Sequence, residues 1–252
     1  MSISLHAAGT ALPVDRAPAR RGRRCAARFD EDAVTLAAEA ALEALEEASD
    51  QPAAVLFAST SPPYEEGGSA QLLVELLGLP ATTFALDLTS SARDGLAALR
   101  VADGLVATGV EPVLVCAAHR RRERGDGDSG DGAVALLVGG AGGLATLVPG
   151  PTHAEELRER WRLPGETSPQ EADASFIEEF GAARVARIVA ERAAASAPAP
   201  AGTADPAPEP FPVLVAGPGS AIGRYPLGNT GRADVPATRP MAVPEDLAAL
   251  LA

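Results

Sequence analysis

The stretch FALDLTSSARDGLAALRVADGLVATG, residues 84–109, decides how the chain is read. It passes from an apolar run through a few small and polar residues into a helical pattern. Residues 82–88 read as a buried strand, and Ser90, Ser91, Ala92 and Arg93 as a tight turn. Residues 94–108 read as a helix with Leu96, Leu99 and Val106 on its apolar face. A strand feeding a helix through a short turn is the repeating unit of α/β proteins.

The same alternation extends on both sides. ISLHAAGTAL (3–12) reads as a first strand, followed by an Arg-rich loop, DRAPARRGRRCAARF (15–29). Asp30 or Asp32 is placed to cap a helix over 33–48, in which Val34, Ala38, Ala41 and Leu45 recur at helical spacing. AAVLFAS (53–59) is a buried strand and 68–77 a helix. EPVLVCAA (111–118) and GAVALLVGG (132–140) are further strands. Unbroken apolar strands alternating with helices imply a sheet covered on both faces. After Pro149 the pattern weakens: a polar loop enters a helix over 173–194, and residues 195–210 form a Pro/Ala-rich linker or loop. FPVLVAGPGS (211–220) restores a strand and a Gly turn. A loop and a short closing helix follow.

Composition narrows the function classes. The 252 residues carry a formal charge of −13, so phosphate backbones are repelled and nucleic-acid binding is not expected. All 21 basic residues are arginine. Without lysine there is no Schiff base and no P-loop cation. The two cysteines, Cys25 and Cys116, are too few for a disulfide framework or a zinc cluster. No apolar run approaches a membrane span, and no basic-then-apolar leader is seen, so a cytoplasmic protein is expected.

Other motifs have plainer readings. In VLVAGPGSAIG (213–223) the glycines miss dinucleotide-binding spacing, and Pro226 blocks the helix that motif needs. GDGDSGDGA (125–133) places Asp126, Asp128 and Asp131 at intervals unlike a calcium loop and reads as a solvated turn, so no metal is expected. Cys116 reads as a core thiol. Cys25, among arginines, would be a more acidic and more reactive one. His6, His119 and His153 have no Ser, Cys or Asp at a motif spacing. The arginines at 16, 20, 21, 23, 24 and 28 read as solvated loop charge or as a phosphate-binding cluster.

Taken in order, these segments resemble the thiolase superfamily, in its hydroxymethylglutaryl-CoA synthase-like branch near the ketoacyl synthase III-type enzymes. The resemblance is carried by FDEDAVTLAAEAALEAL, AAVLFASTSPPYEEGGSAQLLVELLGL, ALDLTSSARDGLAAL and GDGAVALLVG. ERWRLPGE, FIEEFGAARV and PLGNTG add to it later in the chain. It implies a layered α-β-α thiolase-like fold with a mixed sheet. The N-terminal half (1–150) would be nearly complete. The C-terminal half would be reduced to a loop and helix (151–194) and a remnant (211–252).

The resemblance also locates the chemistry. The family's nucleophilic cysteine stands five residues after the strand's Asp, which is Asp87 here, and so falls on Ala92. The family's His-x-Pro-Asn-like turn falls on Ala216, Pro218 and Gly219. The acid of the strand-two loop falls loosely on Glu65 or Glu66. Asn229 is the one late polar residue that matches. Ser91 lies beside the nucleophile position, and Arg21, Arg23, Arg24 and Arg28 are candidate contacts for CoA phosphates. No catalytic residue is therefore expected.

The leading expectation is a non-catalytic subunit, a structural or regulatory partner of a thiolase, a synthase or an OB-fold zinc-ribbon protein, or a homodimer. An enzyme using Tyr64, Glu65, Ser91 or Asn229 on acyl-CoA, without a covalent cysteine intermediate, is the alternative. A module that binds acyl-CoA without turnover is the third reading. The resemblance further implies that residues 82–88 and the helix from Gly95 form a dimer contact.

Overall fold

The computed structural model describes residues 3–18, 23–46, 48, 50–91, 93–120, 130–148, 152, 160–163, 165, 166, 170–173 and 175. Described residues up to Val148 fall in one compact unit, and those from Thr152 on in a second.

In chain order the first unit contains β1 (Ile3–Ala11), β2 (Arg16–Pro18), β3 (Arg23–Cys25), α1 (Ala33–Glu46), β4 (Ala54–Ala58) and α2 (Ser69–Leu76). It continues with β5 (Phe84–Leu88), α3 (Asp94–Ala107), β6 (Val113–His119), β7 (Gly132–Gly139) and β8 (Ala145–Leu147). Six strands make one mixed sheet in the order β5-β4-β6-β7-β1-β8. β4 is parallel to β5 and to β6, whereas β7 is antiparallel to β6 and β1, and β8 to β1. α1 and α2 cover one face and α3 the other.

β4 is an unbroken apolar run because it has neighbours on both edges and helices on both faces. All five of its residues are buried. Val55 and Phe57 pack toward α1 and α2, while Ala54, Leu56 and Ala58 pack toward α3. α1 begins where expected, and Asp32 is its cap. The Asp32 Oδ1 accepts the amides of Val34 and Thr35 at 2.8 Å each, and Thr35 Oγ1 accepts the amide of Asp32 at 2.8 Å. This reciprocal pair satisfies amides that the first turn leaves unpaired. Ala33, Ala37, Ala40, Ala41 and Ala44 are buried on this helix, so its axis lies close to the sheet. A side-chain carbon at Gly9 of β1 would collide with the backbone of Ala40 and Ala44, so the seam admits only glycine there.

Three expectations need correction. The Arg-rich segment is not all loop: β2 and β3 pair antiparallel, with Arg16 opposite Cys25. The strand of 82–88 starts at Phe84 and is the edge of the sheet, half-buried rather than buried, with Phe84 46 % exposed. Leu96 is not on the packed face of α3 but 58 % exposed; Asp94, Ala98 and Ala102 are its buried residues. β8, paired with β1, adds a strand that no sequence pattern announces.

In the second unit, β9 (Arg160–Trp161) pairs antiparallel with β10 (Gln170–Glu171). Glu166 closes the turn between them, accepting the Leu163 amide at 2.9 Å and the Gln170 side-chain amide at 2.7 Å. Most of the helix expected over 173–194, the linker 195–210 and the segment 211–252 lie outside the described residues. Among the described residues no helix is long and apolar enough to cross a membrane.

Candidate functional site

β4, β5 and β6 run parallel, so their C-terminal ends meet on one rim of the sheet, where open α/β sheets place their ligands. Side chains close the rim. The Ser59 amide donates to Leu88 O at 3.0 Å, carrying the β4–β5 pairing one step further. Ser59 Oγ accepts the Ser61 amide at 3.0 Å, and Ser61 Oγ accepts the Arg120 amide at 2.8 Å. Both serines are buried.

The turn that leaves β5 is organised by Asp94, the first residue of α3. Its Oδ2 accepts the Ser90 amide at 2.6 Å, the Ser91 amide at 2.8 Å and the Ser90 hydroxyl at 3.2 Å. The Ser91 hydroxyl accepts the Arg93 amide at 3.2 Å. Asp94 is 8 % exposed. The small residues of this segment thus serve a carboxylate that folds back on its own helix entry. Asp87 works on the opposite face: its Oδ1 accepts the Ser69 and Ala70 amides at 3.0 and 3.1 Å, capping α2 from the neighbouring strand. Burial pushes the Asp87 carboxyl above its usual range, and the two backbone bonds pull the other way.

His119 closes β6. Its Nδ1 is 3.4 Å from Thr60 Oγ1, just beyond β4. His119 shares a strand face with Ala117, which lies 3.5 Å from where a Cβ on Gly95 would stand. Thr60 and His119 are therefore brought to the rim beside the N-terminus of α3. The sequence alone offers His119 no Ser, Cys or Asp at a motif spacing and so gives it no role. The available signal was its position at the end of an apolar strand, and only the β4–β6 pairing supplies the partner.

The other candidates fall as follows. Ser91 is exposed on the turn, and Tyr64, Glu65 and Glu66 are exposed on the loop before α2. Arg23 Nη2 donates to Arg16 O at 2.9 Å, and Arg24 lies beside it on β3. Arg28 Nε lies 3.1 Å from Asp15 Oδ2. That contact raises the Arg28 pKa further. Ala92, Ala216, Gly219, Asn229 and Arg21 lie outside the described residues. Cys116 is an inert core thiol, its pKa pushed up to about 12 by burial. Cys25 is buried too, so the arginines around it do not present it to solvent. Asp131 is also buried. Its Oδ2 accepts the Ala27 amide at 2.7 Å and its amide donates to Cys25 O at 3.2 Å, fastening the β2–β3 hairpin to the sheet. Among the described residues no group of three His, Cys, Asp or Glu is arranged to hold a metal ion.

Known proteins agree with this architecture. A hydroxymethylglutaryl-CoA synthase of Pyrobaculum neutrophilum is 34 % identical over 153 residues, covering 58 % of this chain and 44 % of that protein. One from Aeropyrum pernix is 29 % identical over 187 residues, 64 % of this chain and 52 % of that protein. The solved structure of MvaS in complex with 3-hydroxy-3-methylglutaryl coenzyme A superposes with a TM-score of 0.66 at 20 % identity, over 77 % of this chain and 54 % of that one. In sequence and in fold the chain is similar to the hydroxymethylglutaryl-CoA synthase-like branch of the thiolase superfamily. A 3-oxoacyl-(acyl-carrier-protein) synthase III also shares the thiolase-like fold, with a TM-score of 0.59 at 20 % identity over 78 % of this chain and 74 % of that one. This thiolase-like chain spans about half the length of the curated relatives it matches. A separate family model, a protein of unknown function (DUF3703), matches residues 210–251.

Proposed function

We propose that this chain is a non-catalytic thiolase-fold subunit, a structural or regulatory partner in an acyl-CoA-processing complex. The observation that carries the reading is the turn after β5. Where the family resemblance puts a cysteine, the sequence has Ala92, and the flanking amides of Ser90 and Ser91 are bound to Asp94 rather than facing a substrate. Loss of such a nucleophile costs several orders of magnitude in rate. The partner would be an active thiolase or synthase, an OB-fold zinc-ribbon protein, or a second copy of this chain.

The test combines turnover with reconstitution. Purified protein incubated with acetyl-CoA and acetoacetyl-CoA should release no CoA and gain no acyl mass. Adding it to an active thiolase or synthase should change the mass of that enzyme's complex by light scattering. Ala92→Cys alone should not restore acyl transfer, because the position matched to the family's histidine is Ala216. Rapid stoichiometric acylation of that variant would overturn the reading.

A second reading has its own observation, the Thr60–His119 pair. A hydroxyl 3.4 Å from an imidazole nitrogen is the beginning of a nucleophile–base arrangement. In that reading the chain is an acyl-CoA-binding enzyme with a non-cysteine site, and Arg21, Arg23, Arg24 and Arg28 hold the CoA phosphates. Turnover of a short-chain CoA ester that is lost in both Thr60→Val and His119→Ala would favour it.

A further inference from the structure

We propose that Asp94 is the resident anion of the turn, and that it excludes any thiolate or oxyanion from the N-terminus of α3. This deepens the non-catalytic reading and rests on it: it supplies a second barrier, independent of which residue stands at position 92.

The geometry carries the proposal. One carboxylate oxygen takes three donors, the amides of Ser90 and Ser91 and the hydroxyl of Ser90, at 2.6, 2.8 and 3.2 Å. These two successive amides belong to the turn that leads into the 14-residue helix α3, just before its N-cap Arg93, and converging amides of this kind are what a developing negative charge requires. Here both donate to a side chain of the helix itself. Asp94 is 8 % exposed, so its charge is shielded from solvent and acts on what lies beside it. An anion approaching the same amides meets a like charge and finds its donors already engaged. A helix N-terminus ordinarily lowers a thiol's pKa, but this one is neutralised from within.

A thiol built into the turn reads this directly. Ser91→Cys is close to isosteric, and residue 91 is exposed to reagent, whereas native Cys25 and Cys116 are buried. The pKa of the introduced thiol would be taken from the pH dependence of its alkylation by iodoacetamide, at low ionic strength. Asp94→Asn in the same chain keeps an acceptor oxygen and removes the charge. Arg93 on the turn and His119 at the end of β6 are common to both proteins.

With Asp94 present, the thiol should titrate at or above the ordinary value of about 8.5. With Asn it should fall by about one unit, giving roughly tenfold more thiolate at neutral pH. Should Asp94→Asn not fold, Asp94→Ser takes its place. Equal pKa values in both backgrounds, or a thiol already well below about 8.5 beside Asp94, overturn the proposal. Either result leaves the non-catalytic reading standing on position 92. Conversely, acyl-CoA turnover by the wild-type chain would remove that reading without touching the thiol comparison.

Discussion

The carboxylate of Asp87, on the edge strand β5, accepts the amide of Ser69 at 3.0 Å and so holds the first turn of α2, a helix that precedes it in the chain. Its worth lies in the acceptor, not the charge. Asp87→Asn keeps an oxygen for the amides and should leave the melting temperature near wild type at neutral pH. Asp87→Ala should cost about 1 kcal/mol, as the loss of a cap does.

The sign of the pH dependence follows from the raised Asp87 pKa. The folded chain holds this proton more tightly than the unfolded chain, so the group favours folding most at pH below its unfolded value of 3.8. That contribution is lost as pH rises through the folded pKa. Thermal melts of wild type and Asp87→Asn across the acid range should show wild type gaining on the variant as pH falls. A difference independent of pH would show that the carboxyl is not perturbed.

At Gly9 the argument is steric. Gly9→Ala places a methyl against the backbone of Ala40 and Ala44, which cannot move without lifting α1 from β1. The expected cost is about 1–3 kcal/mol, read as a lower midpoint in urea with an unchanged slope. A wild-type midpoint would mean that α1 shifts freely.

Reactivity of the thiols separates fold from chemistry. With its pKa near 12, Cys116 carries about one part in ten thousand of thiolate at pH 8. Neither cysteine should react with a disulfide reagent in the native chain, and both should appear together on unfolding. Native labelling of Cys116 at the rate of a free thiol would contradict its place in the core.

The exposed flank of β5 bears on assembly. An apolar edge with Phe84 outward is a template for pairing. We expect the chain not to be a stable monomer, with β5 and the start of α3 in the contact. Phe84→Lys should break that association, because the charge would be buried without a partner. Light scattering decides, and a monomeric, soluble wild type would refute the prediction.

The sheet could be foreseen where burial is two-sided. β4, β6 and β7 are apolar runs, and a run is visible in one dimension. β2 and β3 could not, because each is three residues long and Asp131, 104 positions away from Ala27, holds them to the sheet. Leu96 is apolar yet exposed, because α3 approaches the sheet through Ala98 and Ala102, which permit close contact. The site divides in the same way. Ser90, Ser91 and Ala92 were found from local spacing and a family pattern. The Thr60–His119 contact joins residues 59 positions apart, and strand pairing alone creates it. Asp94 was in plain view, four residues beyond Ser90, yet the direction of its side chain is a property of the folded turn.

Above β4 and β6 the sheet is finished in hydroxyl groups instead of peptide carbonyls, since Ser61 takes the amide of Arg120. A hydroxyl rotates about one bond, and a carbonyl moves only with its chain. This border can therefore let go of an amide while the strands beneath stay paired. In Ser61→Ala, deuterium should enter at the Arg120 amide far sooner than in wild type, while the amides of Val115 and Cys116 keep their protection.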